Sequence, residues 1–76
     1  QLNRSEYAML YCMAKAPGRV FTREELYTAV WNETYPYGSN TVDNTIFRLR
    51  KKIEPDPRNP IFIQTVRGIG YKFAKK

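Results

Sequence analysis

Between Thr41 and Ile53 the apolar residues Val42, Ile46, Leu49 and Ile53 recur at i, i+4, i+7 and i+11, and no other feature of the chain restricts its fold so much. At 100° per residue these four fall within about 60° of one another, a stripe that an α-helix presents to a core. The helix is expected to begin at Ser39 or Asn40 and to end near Ile53. Three prolines, Pro55, Pro57 and Pro60, then interrupt the chain between Glu54 and Pro60. Proline lacks the amide hydrogen that a helix or central strand needs, so this stretch is irregular. Thr41, Asn44, Arg48 and Lys51 lie on the other side of the helix. One face is built to pack and the other to meet something polar. Asp43 and Arg50 share a flank and are expected to pair structurally.

Two shorter helices precede this one. Asn3 and Glu6 have the spacing of a capping box, with Leu2 placed to staple onto Tyr7. Tyr7, Leu10, Tyr11 and Ala14 then form an apolar stripe until Pro17-Gly18 stops the helix. The pattern returns at Thr22 and Glu25, with Phe21 placed to staple onto Leu26. The second helix carries Leu26, Ala29 and Val30 on one side and ends near Trp31. Residues 32–39 form a loop containing Pro36 and Gly38. After the prolines, Ile61–Val66 is rich in β-branched residues and reads as a strand. Arg67-Gly68-Ile69-Gly70 supplies a turn, and Tyr71-Lys72-Phe73 returns as its partner. The order is helix, helix, helix, hairpin, an α+β domain of the winged helix-turn-helix class.

With 76 residues the core is small, because a chain of this length buries only about 60% of its unfolded surface. A single cysteine, Cys12, and no histidine remove disulfides and Cys/His zinc sites, so no cofactor or metal is expected. A lone thiol fits a reducing cytosol, and a cytoplasmic setting is expected. No apolar run is long enough to span a membrane. The net charge is +6, and its position says more than its size. In residues 1–39, Arg4, Lys15, Arg19 and Arg23 are balanced by Glu6, Glu24, Glu25 and Glu33. The whole excess therefore sits in residues 40–76, which points to a polyanion met on one face.

A polar, basic helix face after a short helix pair is the plan of a helix-turn-helix reader of duplex DNA. On it, Arg48 can bond the O6 and N7 of guanine and Asn44 an adenine edge. Lys51 and Lys52 reach phosphates, as do Thr41 and Thr45 through hydroxyls. Arg67, before a glycine at a turn tip, is a cation on a narrow protruding backbone, a shape suited to the minor groove. A solvated surface helix and a plain turn are the alternatives that periodicity alone leaves open. Gly68 and Gly70 do not make a nucleotide loop, since Phe73 occupies the third glycine position and no βαβ unit follows.

The stretches P-G-R-V-F-T-R-E-E-L (17–26), T-V-D (41–43), R-L-R-K-K-I-E-P-D-P (48–57) and T-V-R-G-I-G-Y (65–71) resemble the C-terminal effector domains of OmpR/PhoB-type response regulators. The resemblance covers nearly the whole chain in order and spacing. It implies an output domain of a two-component system that binds double-stranded promoter DNA in bacteria, paired head to tail on direct repeats under control of a receiver domain. In similar proteins the position of Arg48 reads bases and that of Arg67 enters the minor groove. The positions of Trp31, Thr41, Thr65 and Tyr71 touch phosphates, and the loop at 32–39 can face RNA polymerase. Residues 1–76 are then one winged-helix domain, a fragment without the receiver domain and the small N-terminal sheet, and monomeric in isolation.

Three departures bear on the target. Asn40 stands where the family often has Arg, and Asn44 and Thr45 stand where Val and His are commoner. Phe47 replaces a polar or basic residue. It is read first as packing against the wing, with stacking on a sugar or contact with a thymine methyl as alternatives. The rival function is a winged-helix module that binds protein or RNA. RNA readers usually stack unpaired bases on exposed aromatics, and most aromatics here occupy core-like positions. No enzyme is expected. Cys12 has no base to activate it, and Arg50 is assigned to Asp43, the only carboxylate on the basic helix.

Overall fold

The computed structural model describes residues 1–75, so Lys76, at the end of the expected domain, lies outside it. Three helices come first in space: α1 (Arg4–Ala14), α2 (Arg23–Trp31) and α3 (Thr41–Ile53). Three short strands form one antiparallel sheet: β1 (Val20–Thr22), β2 (Ile63–Val66) and β3 (Gly70–Phe73), in the order β1-β3-β2. The order along the chain agrees with a winged helix.

Both expected capping boxes are present. The Asn3 side chain accepts from the Glu6 amide while a Glu6 oxygen accepts from the Asn3 amide. Thr22 and Glu25 repeat the arrangement at α2. Four amides that a helix start leaves without partners are thus reduced at each end by a local bond. α3 begins at Thr41, one residue beyond Asn40. Asn40 makes no side-chain capping bond, and the Ser39 hydroxyl instead accepts from the Thr41 amide at 3.2 Å.

The core is built from Met9 and Met13 of α1, Phe21 of β1, Leu26 and Tyr27 of α2, Val42, Ile46 and Leu49 of α3, and Ile63 and Tyr71 of the sheet. The α3 stripe is as the periodicity predicts, with Ile53 packed at its edge. The face of α1 is not. Tyr7 and Tyr11 are 62% and 57% exposed and stack on each other, while Glu6, Met9 and Met13 are fully buried. Leu2 packs on the core. The true stripe contains a carboxylate, which hid it from a search for apolar spacing. On α2 the buried residues are Leu26 and Tyr27, and Ala29 faces solvent.

β1 had no signal of its own. Its three residues add to the hairpin through the pairs Val20–Lys72, Phe21–Tyr71 and Thr22–Gly70. That addition explains the two wing glycines separately. Gly68 has φ +75° with open space around it, the left-handed conformation that a tight turn uses. Gly70 has no room for a side chain, because a Cβ there would meet the Phe21 carbonyl oxygen at 1.9 Å. β2 begins two residues later than expected. The amides of Ile61, Phe62 and Ile63 all donate to the carboxylate of Glu54, at 2.8–3.1 Å. One buried side chain therefore fixes where the chain leaves the proline segment and enters the wing.

Candidate nucleic-acid interface

With α3 seated on the core through Val42, Thr45, Ile46 and Leu49, the pole facing away is set by geometry. Lys51 and Asn44 lie nearest that pole, Phe47 about 35° from it and Arg48 about 65° from it on the side of α1. Asn44, Phe47, Arg48, Lys51 and Lys52 are all exposed. Asn40 is exposed at the helix start, and Thr41 is half-buried, its hydroxyl accepting from Ser39. Arg67 stands exposed at the β2–β3 turn beside Ile69. This turn is closed by the Ile69 amide donating to the Val66 carbonyl at 3.0 Å.

Two side chains expected to reach phosphates, Thr45 and Tyr71, are buried. Thr45 is fully buried, with its hydroxyl donating to the Thr41 carbonyl and accepting from Arg48. A phosphate contact through that hydroxyl is excluded in this arrangement, since no part of it faces solvent. Tyr71 is also buried, and its hydroxyl donates to Asp43. An oxygen whose hydrogen is so engaged can only accept, and phosphate oxygens need a donor. Burial, and then the Asp43 bond, push the Tyr71 phenol up to about 12. Thr65 is exposed, and its hydroxyl, which accepts from Arg50 at 2.9 Å, keeps its own hydrogen to donate. Trp31 packs on Tyr27 with ring centroids 5.0 Å apart and lines a shallow cleft with Arg4, Ala8 and Val30.

The expected Asp43–Arg50 pair does not form. Asp43 accepts from Arg23 at 2.8 Å, tying the start of α2 to α3. The hydrogen bond that Arg23 donates to Asp43 raises its guanidinium further above its ordinary range. Arg50 turns the other way and bonds the Ile63 carbonyl through Nη2 at 2.8 Å. Both residues are structural, each with a partner that spacing along one helix cannot reveal.

Glu6 is the residue that sequence reasoning undervalued most. Besides its capping role, it accepts from Lys52 Nζ at 2.7 Å and from Arg48 Nε at 3.1 Å. It is wholly buried, whereas the side chains of Arg48 and Lys52 are 48% and 37% exposed. The Lys52 bond and the Asn3 amide, against the opposing effect of burial, hold the Glu6 carboxyl down at about 2. One signal was available: Glu6 lies three and seven residues before Met9 and Met13, inside the buried stripe. A charge there must find a cation on a neighbouring element. Among the described residues no group of His, Cys, Asp or Glu could hold a metal ion, and no helix is long and apolar enough to cross a membrane.

The arrangement is a helix with an outward polar and cationic face beside an arginine-tipped turn. Residues 1–73 match the family model described as "Transcriptional regulatory protein, C terminal". The chain belongs to that family, the OmpR/PhoB-type C-terminal domains. Two relatives give the scale of the likeness. The YcbL protein of Bacillus subtilis, named an uncharacterized transcriptional regulatory protein, is 44% identical over 75 residues, covering 99% of this chain and 33% of its own. The DNA-binding response regulator MtrA of Mycobacterium tuberculosis is 43% identical over 67 residues, covering 88% and 29%. The chain thus spans about a third of the length of these relatives.

Solved structures agree. The RstA DNA-binding domain of Klebsiella pneumoniae, in complex with the RstA box, superposes with a TM-score of 0.89 at 35% identity, over 97% of this chain and 73% of that one. The DrrB response regulator of Thermotoga maritima, an OmpR/PhoB homologue, gives 0.86 at 37%, over 99% and 34%. This OmpR/PhoB-type domain is therefore a winged helix, and its family is one of transcription regulators and not of enzymes.

Proposed function

We propose that this domain binds duplex DNA sequence-specifically, with α3 in the major groove and the Arg67 turn in the adjacent minor groove, as the output domain of a two-component response regulator. The observation that carries it is the outward face of α3. It bears Asn44, Phe47, Arg48 and Lys51, and its one carboxylate, Asp43, is turned to Arg23 and Tyr71. The RstA domain, so similar in fold, is in complex with its DNA box, which supports duplex DNA as the ligand here. Arg48 and Asn44 read base edges, while Asn40, Thr41, Lys51 and Lys52 contact the backbone. In the intact protein a receiver domain governs head-to-tail pairing on promoter DNA in the cytoplasm, and the exposed loop at 32–39 meets RNA polymerase.

Fluorescence anisotropy with a random duplex over a range of salt tests the electrostatic part. Four to six phosphate contacts give a slope of log K against log salt of roughly −4 to −5. A flat dependence, or no binding at low salt, sinks the proposal. Within it, Arg67→Ala weakens binding most on narrow-groove sites. Arg48→Ala relaxes specificity at one base position, at a cost there of about 1–3 kcal/mol. A uniform loss over all bases makes Arg48 a phosphate contact instead.

A further inference from the structure

On the DNA-facing side of α3, the most outward apolar group is Phe47. Sequence alone favours packing against the wing, but in the structure Phe47 is 60% exposed. It sits nearer the outward pole of the helix than Arg48 does. The Lys51 ammonium lies 4.7 Å from its ring centroid. Around it, Arg50, Lys51, Arg58, Asp56 and Pro57 line an open groove. The carboxylate there is already occupied, since Asp56 accepts from the Arg58 amide and the Asn59 side chain. An exposed phenyl among cations is poorly suited to an apolar protein partner and well suited to a polyanion that carries apolar groups. In the major groove only thymine offers one, its 5-methyl.

We infer that Phe47 is a specificity-determining residue that reads a thymine 5-methyl beside the bases met by Asn44 and Arg48. The inference rests on the DNA-binding reading above. Lys51, drawn over the ring, holds the phenyl toward the groove floor and carries its own charge toward the flanking phosphate. Arg48 is drawn toward α1 by Glu6 and Thr45, so the centre of the helix face is left to Asn44, Phe47 and Lys51. The site then requires a thymine at a position where hydrogen bonding alone does not decide the base.

The test uses this chain and a duplex selected by it from a random library. Each thymine is replaced in turn by deoxyuridine, which removes only the methyl, and affinity is read by anisotropy. At one or two positions the loss expected is about three- to fivefold, the value of burying one methyl group. Phe47→Ala, a change at an exposed position, abolishes that sensitivity, and Phe47→Leu keeps part of it. The inference is overturned if the chain is indifferent to every replacement, if the selected site has no discriminated thymine, or if Phe47→Ala retains the same methyl dependence. Specific, salt-dependent binding in those cases leaves the DNA-binding reading standing. No binding to any duplex removes both.

Discussion

Glu6→Gln is a nearly isosteric change that separates two roles of one side chain. Its Oε1 accepts from the Asn3 amide at 3.0 Å and Lys52 at 2.7 Å, and its Oε2 accepts from Arg48 at 3.1 Å. An amide has one acceptor oxygen, so in either orientation its NH2 faces a donor. Two costs follow. The ionic part comes from the fall in the carboxyl from 4.5 to about 2, an upper limit of about 3 kcal/mol by linkage. Arg48 and Lys52 are a third to a half exposed, and solvent screening reduces this to about 1–2 kcal/mol. The mispaired donors add roughly 1 kcal/mol.

Because the folded-state value is depressed, the ionic stabilisation is complete above about pH 5 and is lost as pH falls from 4.5 toward 2. Urea unfolding followed by circular dichroism at pH 7 and pH 3 reads both parts. At pH 7 the variant is less stable by about 2–3 kcal/mol, a drop in Tm of roughly 10–20 °C for a domain of this size. At pH 3 more than half of the ionic part has gone, and the gap narrows to roughly two thirds of its value at pH 7. A variant as stable as the parent at pH 7, or a gap unchanged at pH 3, refutes the account of Glu6 as an ionised tether.

The glycines of the wing give a second pair. Gly70→Ala forces β1 from β3 and costs about 2–4 kcal/mol, whereas Gly68→Ala meets only the left-handed backbone penalty of about 1 kcal/mol; thermal melts that rank them the other way contradict the close approach at Phe21. Glu54→Gln leaves the amides of Ile61, Phe62 and Ile63 sharing one acceptor, and costs about 1–3 kcal/mol. Hydrogen exchange should then speed first at those three amides, and unchanged protection there contradicts the clamp.

Local signals carried most of the fold. Capping boxes, the α3 stripe and the proline segment each depend on residues within a few positions of one another, and all three are in the structure where expected. What escaped the sequence depends on partners far along the chain. β1 exists because Phe21 can lie against Tyr71. Asp43 faces Arg23 and Tyr71 because α2 and the wing close on α3, while helical spacing pointed to Arg50. The α1 face was misassigned because two tyrosines, amphipathic and content at a surface, mimicked the core stripe that Glu6 interrupts. At the candidate interface, spacing placed Asn44, Arg48 and Lys51 outward as a group. It could not show that Thr45, one turn after Thr41, points inward to the Thr41 carbonyl.

Partners within the domain also decide which cations remain for DNA. Of the four on α3, Arg48 and Lys52 share Glu6, and Arg50 is held by Ile63 and Thr65; among the described residues Lys51 alone has no oxygen partner, resting on the Phe47 ring. Counting charges from sequence therefore overstates the number of free phosphate contacts on this helix. It understates their order, because an arginine held through Nε and one Nη2 hydrogen has its remaining donors aimed, and an aimed fork recognises a base better than a mobile one. Glu6 thus trades non-specific attraction for orientation. The same carboxylate starts α1, ties it to α3 and sets the pose of Arg48, so fold stability and, under the proposed function, the aim of Arg48 at a base depend on one ionised group.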